Sequence, residues 1–152
     1  MKLLALLLIS FVLTFSSQVN AQNKWQKADE ATRRLQPYEF RRLPKNIVLF
    51  LETRGCTVPQ TYDNAKPHNV IRGQFAKSGQ FDWAVLCSRS RVSSILVFWN
   101  GSTNSVAELA ASDDNAFLQT IDGDGTIGFS RYIDVVGKKA ILEKYREYGG
   151  SK

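Results

Sequence analysis

Lys2 is followed by an apolar run from Leu3 to Phe15, then by Ser16-Ser17-Gln18 and a segment ending in Val19-Asn20-Ala21. A basic start, a short apolar stretch and a small residue before the cut predict a secretory signal peptide over residues 1–21. The run is shorter than the about 20 apolar residues that a membrane-crossing helix needs, so an anchor is the weaker reading. Cleavage after Ala21 leaves residues 22–152, enough chain for a single domain with one core. It also delivers that domain to an oxidising compartment, periplasmic or secreted. No cysteine near the cut could accept a lipid, and no later segment is long enough for a membrane span after signal cleavage.

Two cysteines remain, Cys56 and Cys87. An even count in an exported chain predicts a disulfide between them, with a free buried pair as the alternative. On the chain-entropy view, closing that loop would stabilise the fold by about 3 to 4 kcal/mol. A thiol nucleophile is not indicated, because His68 is the only histidine and nothing in the sequence sets it beside either sulfur.

The formal charge of the whole chain is +6. Basic residues are scattered, with one dense patch at Arg33-Arg34 and Arg41-Arg42. A modest positive field suits an anionic cell-envelope polymer, or simply a solvated surface. No nucleic-acid-binding motif accompanies the charge, so a nucleic-acid partner is not expected.

Periodicity predicts an amphipathic helix over Trp25–Leu35, stopped by Pro37. A second helix is expected around Ile47–Leu51, between Pro44 and Gly55. A turn-rich loop from Thr57 to Asn69 then leads into strands over Val70–Phe75, Phe81–Cys87 and Val92–Trp99. Asn100-Gly101 is a strong turn signal. A further strand is expected at Glu108–Ala111, and Ala116–Ile121 with Thr126–Val136 should form a second hairpin. A helix over Lys138–Tyr148 ends at Gly149-Gly150. The expected class is α+β, an antiparallel sheet of about five strands with helices near the N-terminus and at the C-terminus.

The segment Gly73-Gln74-Phe75-Ala76-Lys77-Ser78-Gly79-Gln80-Phe81-Asp82-Trp83-Ala84-Val85 resembles an FG-GAP (VCBS-type) repeat. Gly73, Phe75, Gly79, Asp82, Ala84 and Val85 fall on matching positions, and the likeness covers about residues 70–99. The resemblance implies a unit of strand, tight turn and strand. Gln74, Ala76 and Ser78 stand where the family's calcium loop carries Asp or Asn, and a hard cation needs several such oxygens. Members of the family build propellers from several blades, and a chain of this length does not supply them.

Asp122, Asp124 and Thr126 place oxygens at alternate positions and are the candidate metal ligands, for calcium. The EF-hand pattern fails at its sixth and twelfth positions, which are Ile127 and Ile133, and Asp-Gly is itself a favoured turn. Asp113-Asp114-Asn115 could add ligands if folding brought it close. No catalytic constellation is visible: no Gly-x-Ser-x-Gly elbow, no metal-ligand spacing, and only an imaginable pair of Asp82 with Asp63. His68 reads as a surface-loop residue. Phe81 and Trp83 should share one inward side of their strand, and exposed aromatics beside basic residues would suit a glycan.

The expected function is therefore non-enzymatic binding of a protein or cell-envelope polymer by an exported domain. The alternatives are a carboxylate-dependent hydrolase and a calcium-stabilised structural domain.

Overall fold

The computed structural model describes residues 24–149, and the expected signal peptide at residues 1–21 lies outside them. The fold is α+β. Helix α1 covers residues 24–31, four residues short of the expected end at Leu35. The difference is tertiary: β1 (Arg34–Leu35) pairs antiparallel with β2 (Val58–Pro59), so strand pairing overrides a weak helical preference.

Helix α2 (Lys45–Thr53) begins after Pro44 and buries Ile47 and Leu51. Its end is a Schellman closure. The Gly55 N–H bonds to Glu52 O at 2.9 Å and the Cys56 N–H to Leu51 O at 3.0 Å, and Gly55 takes φ +66°, where a side chain would be strained. That turn delivers Cys56 to the interior, where it is disulfide-bonded to Cys87, with the Cα atoms 5.3 Å apart.

Four strands form an antiparallel meander in the order β3 (Val70–Gly73), β4 (Asp82–Arg89), β5 (Val92–Phe98) and β6 (Val106–Asp113). In the β4–β5 hairpin Trp83 faces Phe98 and Arg89 faces Val92. Ser90 and Arg91 at its tip both have positive φ, the backbone that a two-residue hairpin turn requires. The register between β5 and β6 shifts between Ser93 and Ile95, a bulge at which Ala110 takes φ +52°. The second hairpin, β7 (Leu118–Thr120) with β8 (Ile127–Phe129), is a separate two-stranded ladder. The expected sheet of about five strands is thus four strands plus two small ladders.

Alternation along β4 sends side chains into two different clusters. Val85 and Cys87 join Leu96 and Phe98 under Ile47 and Leu51 of α2. Leu86 faces the other way, to Leu118 and Phe129. The sheet is therefore a middle layer between α2 and the second hairpin. Helix α3 (Lys138–Glu147) buries no residue.

Several local expectations change. Phe81 lies outside β4 and is 47% exposed, with the Arg72 guanidinium stacked on its ring 3.9 Å from the centroid. Trp83 is half-buried against the larger cluster. The basic patch breaks up. Arg34 is drawn inward to Asp29 and Asp114, while Arg33, which donates to Asn64 O, and Arg41 and Arg42 stay exposed.

Candidate functional site

The loop following β2 is organised by two buried amides. Gln60 Nε2 donates to Val58 O and His68 O, both at 3.0 Å, while its Oε1 accepts the His68 N–H at 2.8 Å. Asn69 takes φ +68°, a region its short polar side chain tolerates. Its Nδ2 donates to Pro59 O at 2.7 Å, and its Oδ1 accepts the Ile133 N–H at 2.9 Å. One fully buried side chain thus joins the loop after β2 to the strap after β8.

Arg131 holds that strap on the sheet. Its Nη1 donates to Ser93 O at 2.8 Å, and its Nη2 to Ala110 O at 2.6 Å. Both carbonyls sit at the bulge. The guanidinium also lies 4.4 Å from the Phe117 ring centroid. Burial lowers the Arg131 pKa, and the Asp114 carboxylate acts against that lowering.

Between the loop and the strap lies an open cleft of about 570 Å³. One wall is residues 61–64 and 67–71, and the other comes from β7, β8 and residues 130–134. The Tyr62 N–H bonds to Phe129 O at 3.2 Å and closes one end. Gly128 makes this approach possible, because a Cβ there would overlap Ile121 and Tyr62. Tyr62 and Tyr132 are 60% and 66% exposed at the rim. Ile121 and Ile133 add apolar surface, while Asn64, Gln119 and Ser130 offer hydrogen-bonding groups.

His68 is a built-in part of the wall rather than a free surface residue. Its Nε2 accepts the Thr61 N–H at 2.9 Å, which requires that nitrogen to be unprotonated. Its Nδ1 then donates to Lys66 O, 2.9 Å away. Both ring nitrogens are occupied in the free protein. Asp63 and Asp134 are the acidic residues of the cleft lining.

The structure does not bring Asp63 and Asp82 together. Asp82 is fully buried and accepts four hydrogen bonds: from the N–H groups of Phe75, Ala76 and Asn100 and from Gln80 Nε2. Burial alone would raise its pKa, yet the four donors outweigh that and hold it below the usual value. The segment resembling an FG-GAP repeat is therefore closed around its own aspartate. Gly79, at φ +82°, donates to Gln74 Oε1 at 2.8 Å, and a Cβ on Gly73 would collide with the Phe75 ring.

Asp122, Asp124 and Thr126 lie together at the tip of the β7–β8 hairpin. Asp122 Oδ1 accepts the N–H groups of Thr126 at 2.9 Å and Asp124 at 3.1 Å. Its pKa is lowered, most by hydrogen bonding from the Thr126 side chain and next from the Thr126 N–H. Asp113 caps the Asn115 N–H, and Asp114 is turned inward to Ser88 Oγ and Arg34, so neither is offered to this tip. Among the described residues no group of three His, Cys, Asp or Glu side chains is placed to hold a metal ion.

Sequence reasoning missed Gln60, Asn69 and Arg131. An asparagine directly before a strand was the one signal available, since Asn is enriched at positive φ. No protein family, no curated protein and no solved structure matches the chain.

Proposed function

We propose that the chain is an exported, non-enzymatic binding domain and that the cleft between the 60s loop and the strap seats a cell-envelope glycan. The observation that carries this reading is the pair of exposed tyrosines, Tyr62 and Tyr132, at the rim of an open, braced cleft. Aromatic faces pack on the apolar faces of sugar rings, and amide, hydroxyl and carboxylate groups bond to sugar hydroxyls. The acidic residues of the lining are Asp63 and Asp134, so a neutral or amine-bearing sugar fits better here than an anionic one. The disulfide and the absence, among the described residues, of any helix long and apolar enough to cross a membrane fit the exported setting.

Co-sedimentation with purified insoluble cell-wall glycan tests the reading. The expected result is retention of the protein, weakened about tenfold by Tyr62→Ala or Tyr132→Ala, roughly one stacked ring each. No retention, or retention indifferent to both substitutions, contradicts it.

A carboxylate-dependent hydrolase is the second reading, because Asp63 and Asp134 line the same cleft. Soluble fragments released by the wild type and not by Asp63→Asn or Asp134→Asn would favour it.

A further inference from the structure

Among the described residues, no hydrogen bond or ion pair joins helix α3 to another element of the fold. Every residue from Lys138 to Glu147 is exposed, and the hydrogen bonds and ion pairs described for it run within the helix or to Gly137. A ten-residue helix without packing is marginal in water, because helices shorter than about 12 to 15 residues gain little from propensity alone. Its stability has to come from a surface that covers one face.

The sequence of the helix says which surface. At about 100° per residue, Ile141, Tyr145 and Tyr148 share one face, with Leu142 beside it. These four are 53%, 54%, 82% and 41% exposed. Lys138 and Lys144 border that face on its two sides, and Arg146 lies beyond Leu142. Glu143 and Glu147 fall on the opposite side. The ion pairs follow this layout: Lys139 reaches Glu143 and Lys144 reaches Glu147, while Lys138 and Arg146 have no acidic partner among the described residues. Apolar and tyrosine side chains in the centre, bases at the borders and acids turned away are the arrangement of a helix lying in the interface of an anionic bilayer. Val135 and Val136, just before the helix, are also exposed.

A second copy of the chain fits less well. Pairing two such helices through the apolar face would set the bordering bases of one against those of the other, with every glutamate facing outward. We propose that α3 docks the domain on the surface of a bilayer rich in anionic lipid, a role separate from the cleft and independent of it.

The test is flotation of residues 22–152, which include every described residue, with vesicles of phosphatidylglycerol and phosphatidylcholine or of phosphatidylcholine alone. The expected result is binding to the anionic vesicles and about tenfold less to the neutral ones, with loss in about 0.5 M salt. Lys138→Gln and Arg146→Gln should each weaken binding about fivefold. Ile141→Ser with Tyr145→Ser should abolish it, while the thermal midpoint stays unchanged because both side chains are exposed. Equal binding to both vesicle types, binding that survives the double substitution, or concentration-dependent dimerisation through this face without vesicle binding would each overturn the proposal.

Discussion

The two faces of the four-stranded sheet are built by different physics. On the α2 face Ile47, Leu51, Val85, Leu96 and Phe98 pack around the Cys56–Cys87 disulfide in a closed apolar layer. On the other face the apolar cluster is small, Leu86 with Leu118 and Phe129, and polar side chains carry the rest. Asn69 and Arg131 fasten the strap by bonding to backbone groups of Pro59, Ile133, Ser93 and Ala110. An apolar layer holds position by filling space and leaves no opening. A polar brace holds backbone at fixed points and can leave a cleft between them. The side closed by apolar packing is thus not the side that carries the cleft.

Substitutions can break that contrast, and the largest effect belongs to the apolar side. Cys56→Ser with Cys87→Ser should cost about 2 to 5 kcal/mol, and Leu51→Ala a similar amount through the cavity it leaves. Both would be read as a lower unfolding midpoint in denaturant. Neither should alter ligand affinity at temperatures where the protein stays folded.

Asn69→Ala strands the Ile133 N–H, leaves Pro59 O with only the longer bond from Gln60 Nε2, and places a less tolerant residue at positive φ. It should cost about 2 to 3 kcal/mol and, unlike the core changes, loosen the cleft measurably in hydrogen exchange of residues 61–71 and 130–134. Arg131→Ala should cost about 1 to 3 kcal/mol and speed exchange at Ser93 and Ala110.

Asp82 sharpens the comparison with pH. Burial alone would raise its pKa, but four hydrogen-bond donors hold the folded pKa of its carboxylate below the ordinary aspartate value. As pH falls past that value the unfolded chain takes up the proton first, so the stability it contributes is present above about pH 4 and is lost as pH drops through the folded pKa. Asp82→Asn should lower stability at neutral pH and flatten the acid limb of the stability profile. Asp122 is exposed, so Asp122→Ala should give the smallest effect of the series. Calcium at millimolar level should leave the unfolding midpoint unchanged, because the Asp122 oxygen already serves the hairpin's own N–H groups; a raised midpoint would make this tip a metal site.

What was legible in the sequence follows the range of the interactions. Helix α2 lies between Pro44 and Gly55, as local capping predicts, and the β4–β5 hairpin lies close to where its two apolar runs end. The disulfide follows from an even cysteine count in a chain with a signal-like leader. The early end of α1 was not legible, because the β1–β2 pairing that displaces it joins residues far apart in sequence. Asp82 reads only as the matching aspartate of a segment resembling an FG-GAP repeat, after a loop whose calcium ligands are missing; only the fold shows four donors converging on it. The cleft was illegible for the same reason, since Asn69 reaches Ile133 across 64 positions and no local pattern announces such a bond.

The most direct measurement is a titration of the ¹⁵N-labelled protein with soluble cell-wall oligosaccharides, following every backbone amide. Shifts confined to residues 61–71 and 119–134, and weakened in Asn69→Ala, are the predicted result. Shifts centred on the α2 face, or none at saturating sugar, would contradict the assignment of binding to the polar-braced side.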